Sequence, residues 1–194
     1  MYITKEIILS FNVHEYYDWN NLIDSGSRER MREEITKGIE AGKYWKNSPK
    51  YQTDWNVFGT PTSDFANLKM SFIWSCISYL KFEPSIKQIQ SWAFQTCLPG
   101  EDRDKLWHHH NHNPQTKTIS GVYYLHHPDV VANWDQAGTE LAPNGIEGEG
   151  KLYAQWRTGH WMLYPGKVWH RPGILQSTEN RYIVAADLEF YYAT

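Results

Sequence analysis

The chain of 194 residues has only two cysteines, Cys76 and Cys97, which are too few for a disulfide framework and lack CxxC spacing. That excludes a cysteine-stapled scaffold and a dithiol redox motif, and leaves two reduced thiols as the expectation. No apolar run approaches the roughly 20 residues that a membrane-crossing helix needs. Met1 to Glu6 lack the basic-then-apolar order of a signal peptide, so a cytoplasmic protein with no membrane association is expected. The formal net charge is −3 with histidine neutral, so no global positive field invites nucleic acid. Internal repeats, low-complexity tracts and linkers are all missing. The chain therefore reads as one domain over 1–194, with 1–84 mainly helical support and 85–194 a β core. What is abundant is aromatic: ten Trp and thirteen Tyr, which serve large cores and ligand clefts alike.

Hydrophobic periodicity divides the chain. Ile3 to Phe11 reads as an opening strand. Ser27 is placed to cap a helix with Met31, Ile35 and Ile39 along one stripe, and Gly42 to end it. Lys43 to Pro61 is polar, aromatic and turn-rich, and reads as an ordered loop. Ser63 is placed to cap a second helix with Phe65, Leu68, Phe72, Cys76 and Leu80 on one side, closed by Pro84. From Ile86 the period changes to two. Strands are expected up to Leu98, over His108 to His112, Ile119 to Leu125, Thr139 to Leu141, Lys151 to Trp156, His160 to Tyr164, Val168 to Arg171 and Arg181 to Tyr192. Helices first and many short strands after imply an α+β, mostly β architecture. In it, N-terminal helices pack on the outside of a β-sandwich or open barrel.

The chemistry concentrates in one histidine cluster and two later residues. Along a strand, His108, His110 and His112 point one way, while Trp107, His109 and Asn111 point the other. Two imidazoles from this face and a third from a distant strand, His170, complete one face of a metal and leave its other positions open. His110 belongs to both possible pairs. His110 with His112 is preferred because Asn113 and Pro114 end the strand directly after them; His108 with His110 remains the alternative. Aligned imidazoles each need a partner if buried, which argues against three unrelated core histidines. A solvated, tag-like tract is the blander reading. The last strand puts Arg181, Ile183, Ala185 and Asp187 on one face and the wholly apolar Tyr182, Val184, Ala186, Leu188 and Phe190 on the other. Arg181 is thereby forced inward, where it meets either a protein carboxylate, for instance Glu140, or a ligand carboxylate. On the strand from Ile119, the same alternation turns Ser120, Val122 and Tyr124 inward. Trp107, Trp134 and Trp169 flank the cluster as candidate cleft walls.

The order of His110-x-His112, then Ser120 to Leu125 (SGVYYL), then Tyr164, Pro165, Gly166 and His170, then Arg181 eleven residues on, resembles the 2-oxoglutarate- and Fe(II)-dependent oxygenases. It is closest to a group of bacterial and phage proteins with an HxH…SGVYY pattern, and spans roughly three-quarters of the chain from Tyr51. The resemblance implies a double-stranded β-helix, jelly-roll or cupin-like, with Fe(II) at its open end. O2 and 2-oxoglutarate would be co-substrates. His110 and His170 match the two ligand histidines. Tyr124 and Arg181 match residues that hold the far carboxylate of 2-oxoglutarate. His112 stands where most of the superfamily has Asp or Glu, which implies a three-histidine site of His110, His112 and His170. Ile183 stands where many relatives place a hydroxyl residue. The implied reaction couples decarboxylation of 2-oxoglutarate to C–H hydroxylation of a small-molecule or peptidyl substrate. Two rivals stand beside it: a cupin-like three-histidine metalloenzyme that uses the same ligands without 2-oxoglutarate, and a non-catalytic β-barrel whose Trp-rich groove holds a ligand and which binds no iron.

Overall fold

The computed structural model describes residues 13–47, 50–96, 106–110, 113–129, 131 and 136–191. In chain order the elements are β1 (Glu15–Asp18), α1 (Ser25–Glu40), β2 (Tyr44–Asn47), β3 (Lys50–Thr53), α2 (Ser63–Leu80), β4 (Ser85–Thr96), β5 (Thr116–His126), β6 (Thr139–Ala142), β7 (Leu152–Ala154), β8 (His160–Pro165), β9 (Trp169–Pro172) and β10 (Arg181–Tyr191). A short 3-10 turn, Val57–Gly59, precedes α2.

Two helices form where the 3.6-residue stripe is clearest. In α1 the buried stripe is Met31, Ile35 and Ile39, as the spacing predicts. Its cap is Asp24, three residues before the expected Ser27: the Asp24 carboxylate accepts from Ser27 N–H at 2.7 Å. Ser27 lies inside the first turn. At the other end Gly42, at φ +80°, takes the left-handed conformation. Gly42 N–H donates to the Ile39 carbonyl and Lys43 N–H to that of Gly38, at 2.9 and 3.0 Å, a Schellman stop. In α2 the cap is Thr62 and not Ser63, and Phe65, Leu68, Phe72, Cys76 and Leu80 are all buried. No helix among the described residues is long and apolar enough to cross a membrane.

The strands form two antiparallel sheets. The large one runs β1-β8-β5-β10-β4-β3-β2 and the small one β7-β6-β9. Both helices pack on the outer face of the large sheet. There Ile35, Phe65 and Phe72 join Ile119, Tyr123, Val184 and Leu188 in one cluster. Trp161 is fully buried in it, its ring tilted against Phe72 at a centroid distance of 4.8 Å and its Nε1–H donated to Ser71 Oγ at 2.8 Å. Each such side chain removed from water contributes about 1.5–3 kcal/mol. The inner face carries Val122, Tyr124, Met162, Ile183 and Ala185, which meet Leu141 and Ala154 of the small sheet. The expected split of β5 and β10 into helix-facing and inward sets therefore holds residue by residue.

Three expectations are corrected. The stretch from Lys43 to Pro61 is a hairpin, β2 and β3, followed by the 3-10 turn, because β3 pairs with β4 from Lys50↔Thr96 to Gln52↔Phe94. Four-residue strands carry too little alternation to reveal themselves, and here long-range pairing supplies their hydrogen bonds. β1 was unforeseen for the same reason: it pairs with β8 from Glu15↔Leu163 to Asp18↔His160. The first 84 residues thus contribute three strands as well as both helices. The expected strand over His108 to His112 is, within the described residues, a single bridge between His108 and His170. Ile3 to Phe11, Cys97, Asn111, His112 and Trp134 lie outside the described residues.

Candidate metal centre

The turn between β8 and β9 brings His170 into place. Val168 N–H donates to the Pro165 carbonyl at 2.9 Å, and Gly166 N–H to the Thr118 carbonyl at 2.8 Å. The His108 segment lies along the free side of β9. His108 N–H donates to the His170 carbonyl at 3.1 Å, His170 N–H returns a bond to the His108 carbonyl at 2.9 Å, and His110 N–H donates to the Gly166 carbonyl at 2.8 Å. These bonds set the register between segments sixty residues apart. Alternation then puts His108 and His110 on one side, while His109 turns away and meets Trp169 edge-on at 4.6 Å.

One ring nitrogen from each of His108, His110 and His170 lies within 4.8 Å of the others. The ring centroids are 4.2 Å apart for His108 and His170, 5.0 Å for His108 and His110, and 4.9 Å for His110 and His170. Each Nδ1 faces an oxygen acceptor: the Leu106 carbonyl for His108 at 2.8 Å, the Val168 carbonyl for His170 at 3.0 Å, and the Asp187 carboxylate for His110 at 2.8 Å. These acceptors assign the proton to Nδ1 in all three rings, which puts the lone pair of the neutral imidazole on Nε2. Three like-oriented imidazole donors suit a borderline divalent ion such as Fe(II). Among the described residues, the alternative pair, His108 with His110, lies together with His170; His112 of the preferred pair is outside them.

A cavity of about 40 Å³ adjoins the imidazoles. It has room for an ion and a few water-sized occupants. Trp92, Phe94, Val122, Ile183 and Ala185 supply apolar walls, and Thr139 and Arg171 supply polar groups. Trp92 also packs against His110 at 5.4 Å, a role that sequence reading missed because its alternating strand gives no sign of what it faces. Trp107 is buried under the Arg171 guanidinium, at 4.4 Å.

Arg181 is fully buried behind this lining. Its suggested partner Glu140 is buried but engaged elsewhere, with Arg171 Nε donating to its carboxylate at 2.7 Å. Arg181 instead donates from Nη1 to the carbonyls of Ala137 and Gly138 and from Nη2 to that of Gly173 at 3.4 Å. Its Nε–H meets no acceptor among the described residues. Burial lowers its pKa to about 10, against the opposing pull of the Tyr124 phenol, so it stays a cation at neutral pH. Tyr124 is also fully enclosed, its hydroxyl 2.8 Å from Thr139 Oγ1, and burial raises its pKa. A guanidinium has five N–H donors, and the three contacts found among the described residues leave Nε–H, on the edge of the fork that faces a carboxylate in a side-on pair.

No protein-family model matches the chain, and no curated protein matches it in sequence. Solved structures do match. A prolyl hydroxylase from Trichoplax adhaerens, solved with a hypoxia-inducible-factor peptide fragment, superposes with a TM-score of 0.69 at 13% identity, over 94% of this chain and 86% of that one. A Pseudomonas putida prolyl-4-hydroxylase gives 0.62 at 10% identity, over 95% of each chain. The alpha-ketoglutarate-dependent epimerase SnoN from nogalamycin biosynthesis gives 0.62 at 10% identity, over 93% and 79%. The fold is the double-stranded β-helix of these oxygenases. The two sheets are the two walls of that barrel, and the three histidines of this chain lie between them.

Proposed function

We propose that this protein is a 2-oxoglutarate- and Fe(II)-dependent oxygenase acting as a hydroxylase. Its metal is held by His108, His110 and His170, and the far carboxylate of 2-oxoglutarate by Arg181 and Tyr124. The observation that carries the reading is the buried Arg181 fork, a cation with a donor edge unfilled among the described residues, eleven residues past a histidine of a three-imidazole cluster. A buried charge without a counter-charge is costly, the described residues offer Arg181 no ion pair, and a dicarboxylate would supply one. The iron, when bound, supplies oxygen activation coupled to decarboxylation of the 2-oxo acid.

The chain's own residues do the rest. The backbone bonds between the His108 segment and β9 hold two ligands in register. The Nδ1 acceptors keep each Nε2 available. Trp92, Phe94, Val122 and Ile183 keep bulk water from the cavity, which strengthens every polar contact inside it. Arg181 and Tyr124 fix the orientation of the diacid, so that its reacting end meets the metal in one pose. Thr139 lines the cavity, and its Oγ1 lies 2.8 Å from the Tyr124 hydroxyl, which stands between the cavity and the buried interior. Because Arg181 does not itself line that cavity, a second reading stands: a cupin-like three-histidine metalloenzyme that does not use 2-oxoglutarate.

Anaerobic loading with Fe(II), followed by 2-oxoglutarate and air, tests both. Succinate formation in the wild type is expected. His170→Ala and His108→Ala are expected to lose bound iron, while His112→Ala retains it. Retained iron with no succinate supports the cupin-like reading, and retained iron in His108→Ala refutes the ligand set.

A further inference from the structure

His110 differs from the other two histidines in what its Nδ1 meets. For His108 and His170 the acceptor is a backbone carbonyl, a neutral group. For His110 it is the Asp187 carboxylate, with Nδ1 2.8 Å from Oδ1 and 2.7 Å from Oδ2. The carboxylate is itself anchored. Ser120 Oγ donates to Asp187 Oδ1 at 2.7 Å, and the two residues face each other across the ladder between β5 and β10. Ser120 is buried, and the side chains of His110 and Asp187 are only 14% and 15% exposed, so solvent screens this contact weakly. Asp187 lies on the same inward face as Arg181, six residues farther along β10.

We infer that Asp187 is a positioning residue for the metal. Through the His110 imidazole it supplies the negative charge that a three-histidine site lacks in its ligands. The inference rests on the three-histidine reading above. A carboxylate that accepts Nδ1–H draws the proton toward itself and makes Nε2 a stronger donor, and it locks the ring's orientation. Placing that charge behind one imidazole keeps the metal's own positions filled by neutral nitrogens while lowering the net positive charge of the assembly. Ser120 holds the carboxylate so that both of its oxygens lie within reach of Nδ1.

The test is metal binding without any co-substrate. Co(II) and Fe(II) affinities are measured anaerobically by chelator competition for the wild type, Asp187→Asn and Ser120→Ala, with the Co(II) absorption spectrum recorded at saturation. Asp187→Asn keeps the shape and removes the charge. It is expected to bind metal about 10–100-fold more weakly, at unchanged stoichiometry, with shifted Co(II) bands. A merely structural role would not move the bands of the bound fraction. Ser120→Ala, which leaves the carboxylate in place but loosens it, is expected to show a smaller loss in the same direction. Affinities within twofold of wild type and superimposable spectra overturn the inference, even where Asp187→Asn is unstable and Ser120→Ala alone can be read. Loss of a coordinating group from the Co(II) spectrum of Asp187→Asn overturns it too, since Asp187 would then be a ligand. A wild type that binds no metal refutes the three-histidine reading itself, whereas a tight wild type with equally tight variants refutes only the role of Asp187.

Discussion

Replacing Arg181 with leucine is expected to abolish most of the affinity for 2-oxoglutarate while sparing the metal. The magnitude follows from the donors. Among the described residues the guanidinium donates to the carbonyls of Ala137, Gly138 and Gly173, and its Nε–H, with Nη2 beside it, is left to face a carboxylate. Two charge-assisted bonds there contribute about 1.5–3 kcal/mol each. Their loss is about 3–6 kcal/mol, or roughly 10²–10⁴ in Kd at 1.4 kcal/mol per decade. Arg181→Lys keeps the charge and loses the fork, so an intermediate loss is expected. The assay is calorimetric titration of 2-oxoglutarate into the anaerobic metal-loaded protein, with metal affinity measured in parallel. Ligand-induced stabilisation gives an independent reading. At a concentration of about 100 Kd the wild type gains about 2.7 kcal/mol, while a variant bound 100-fold more weakly gains about 0.4 kcal/mol at that same concentration. A variant that binds 2-oxoglutarate within about threefold of wild type refutes the assignment of Arg181.

Two further outcomes concern stability. His127 is buried and stacked flat on Trp156 at 3.8 Å, and burial holds its pKa down at about 4 against an ordinary 6.5. The fold therefore favours the neutral ring. Its contribution is complete above pH 6.5 and is lost as pH falls toward 4, by about 2 kcal/mol after allowance for solvent at the ring edge. His14 and His126, both lowered by burial, add to the same acid limb. Urea unfolding between pH 7 and pH 4.5 is expected to show the decline, and His127→Phe to flatten it; an unchanged slope in that variant refutes the assignment. Gly121 lies where α2 approaches β5. A Cβ there would sit 2.7 Å from Leu163 Cδ2 and 2.8 Å from Phe72 Cε2. Gly121→Ala is expected to cost about 1–3 kcal/mol by overpacking, read from urea midpoints, and a neutral result would show that the core yields there.

The elements legible in the chain are those long enough to repeat their period. Met31, Ile35 and Ile39 announce α1, and eleven residues of strict alternation from Arg181 separate a helix-facing set from an inward set before any partner is known. β1, β2 and β3 span four residues each and were not legible, because pairing with β8 and β4, rather than pattern, makes them strands. Helix caps shifted by one to three residues because several side chains near each start can accept the same N–H, and only the local turn selects among them.

The site divides along the same line. Side chains two residues apart share a side whatever surrounds them, so the sequence by itself determined that His108 and His110 point together, that His109 points away and that Arg181 faces inward with Asp187. Which histidines meet His170 depended on the reciprocal bonds between His108 and His170, a register between distant segments. That Arg171 and not Arg181 takes Glu140, and that Asp187 stands behind His110 from 77 residues away, were likewise decided only in the folded chain. Local backbone geometry orders a strand's side chains, but only long-range pairing brings one strand's face opposite another's, and the metal site exists where those faces meet.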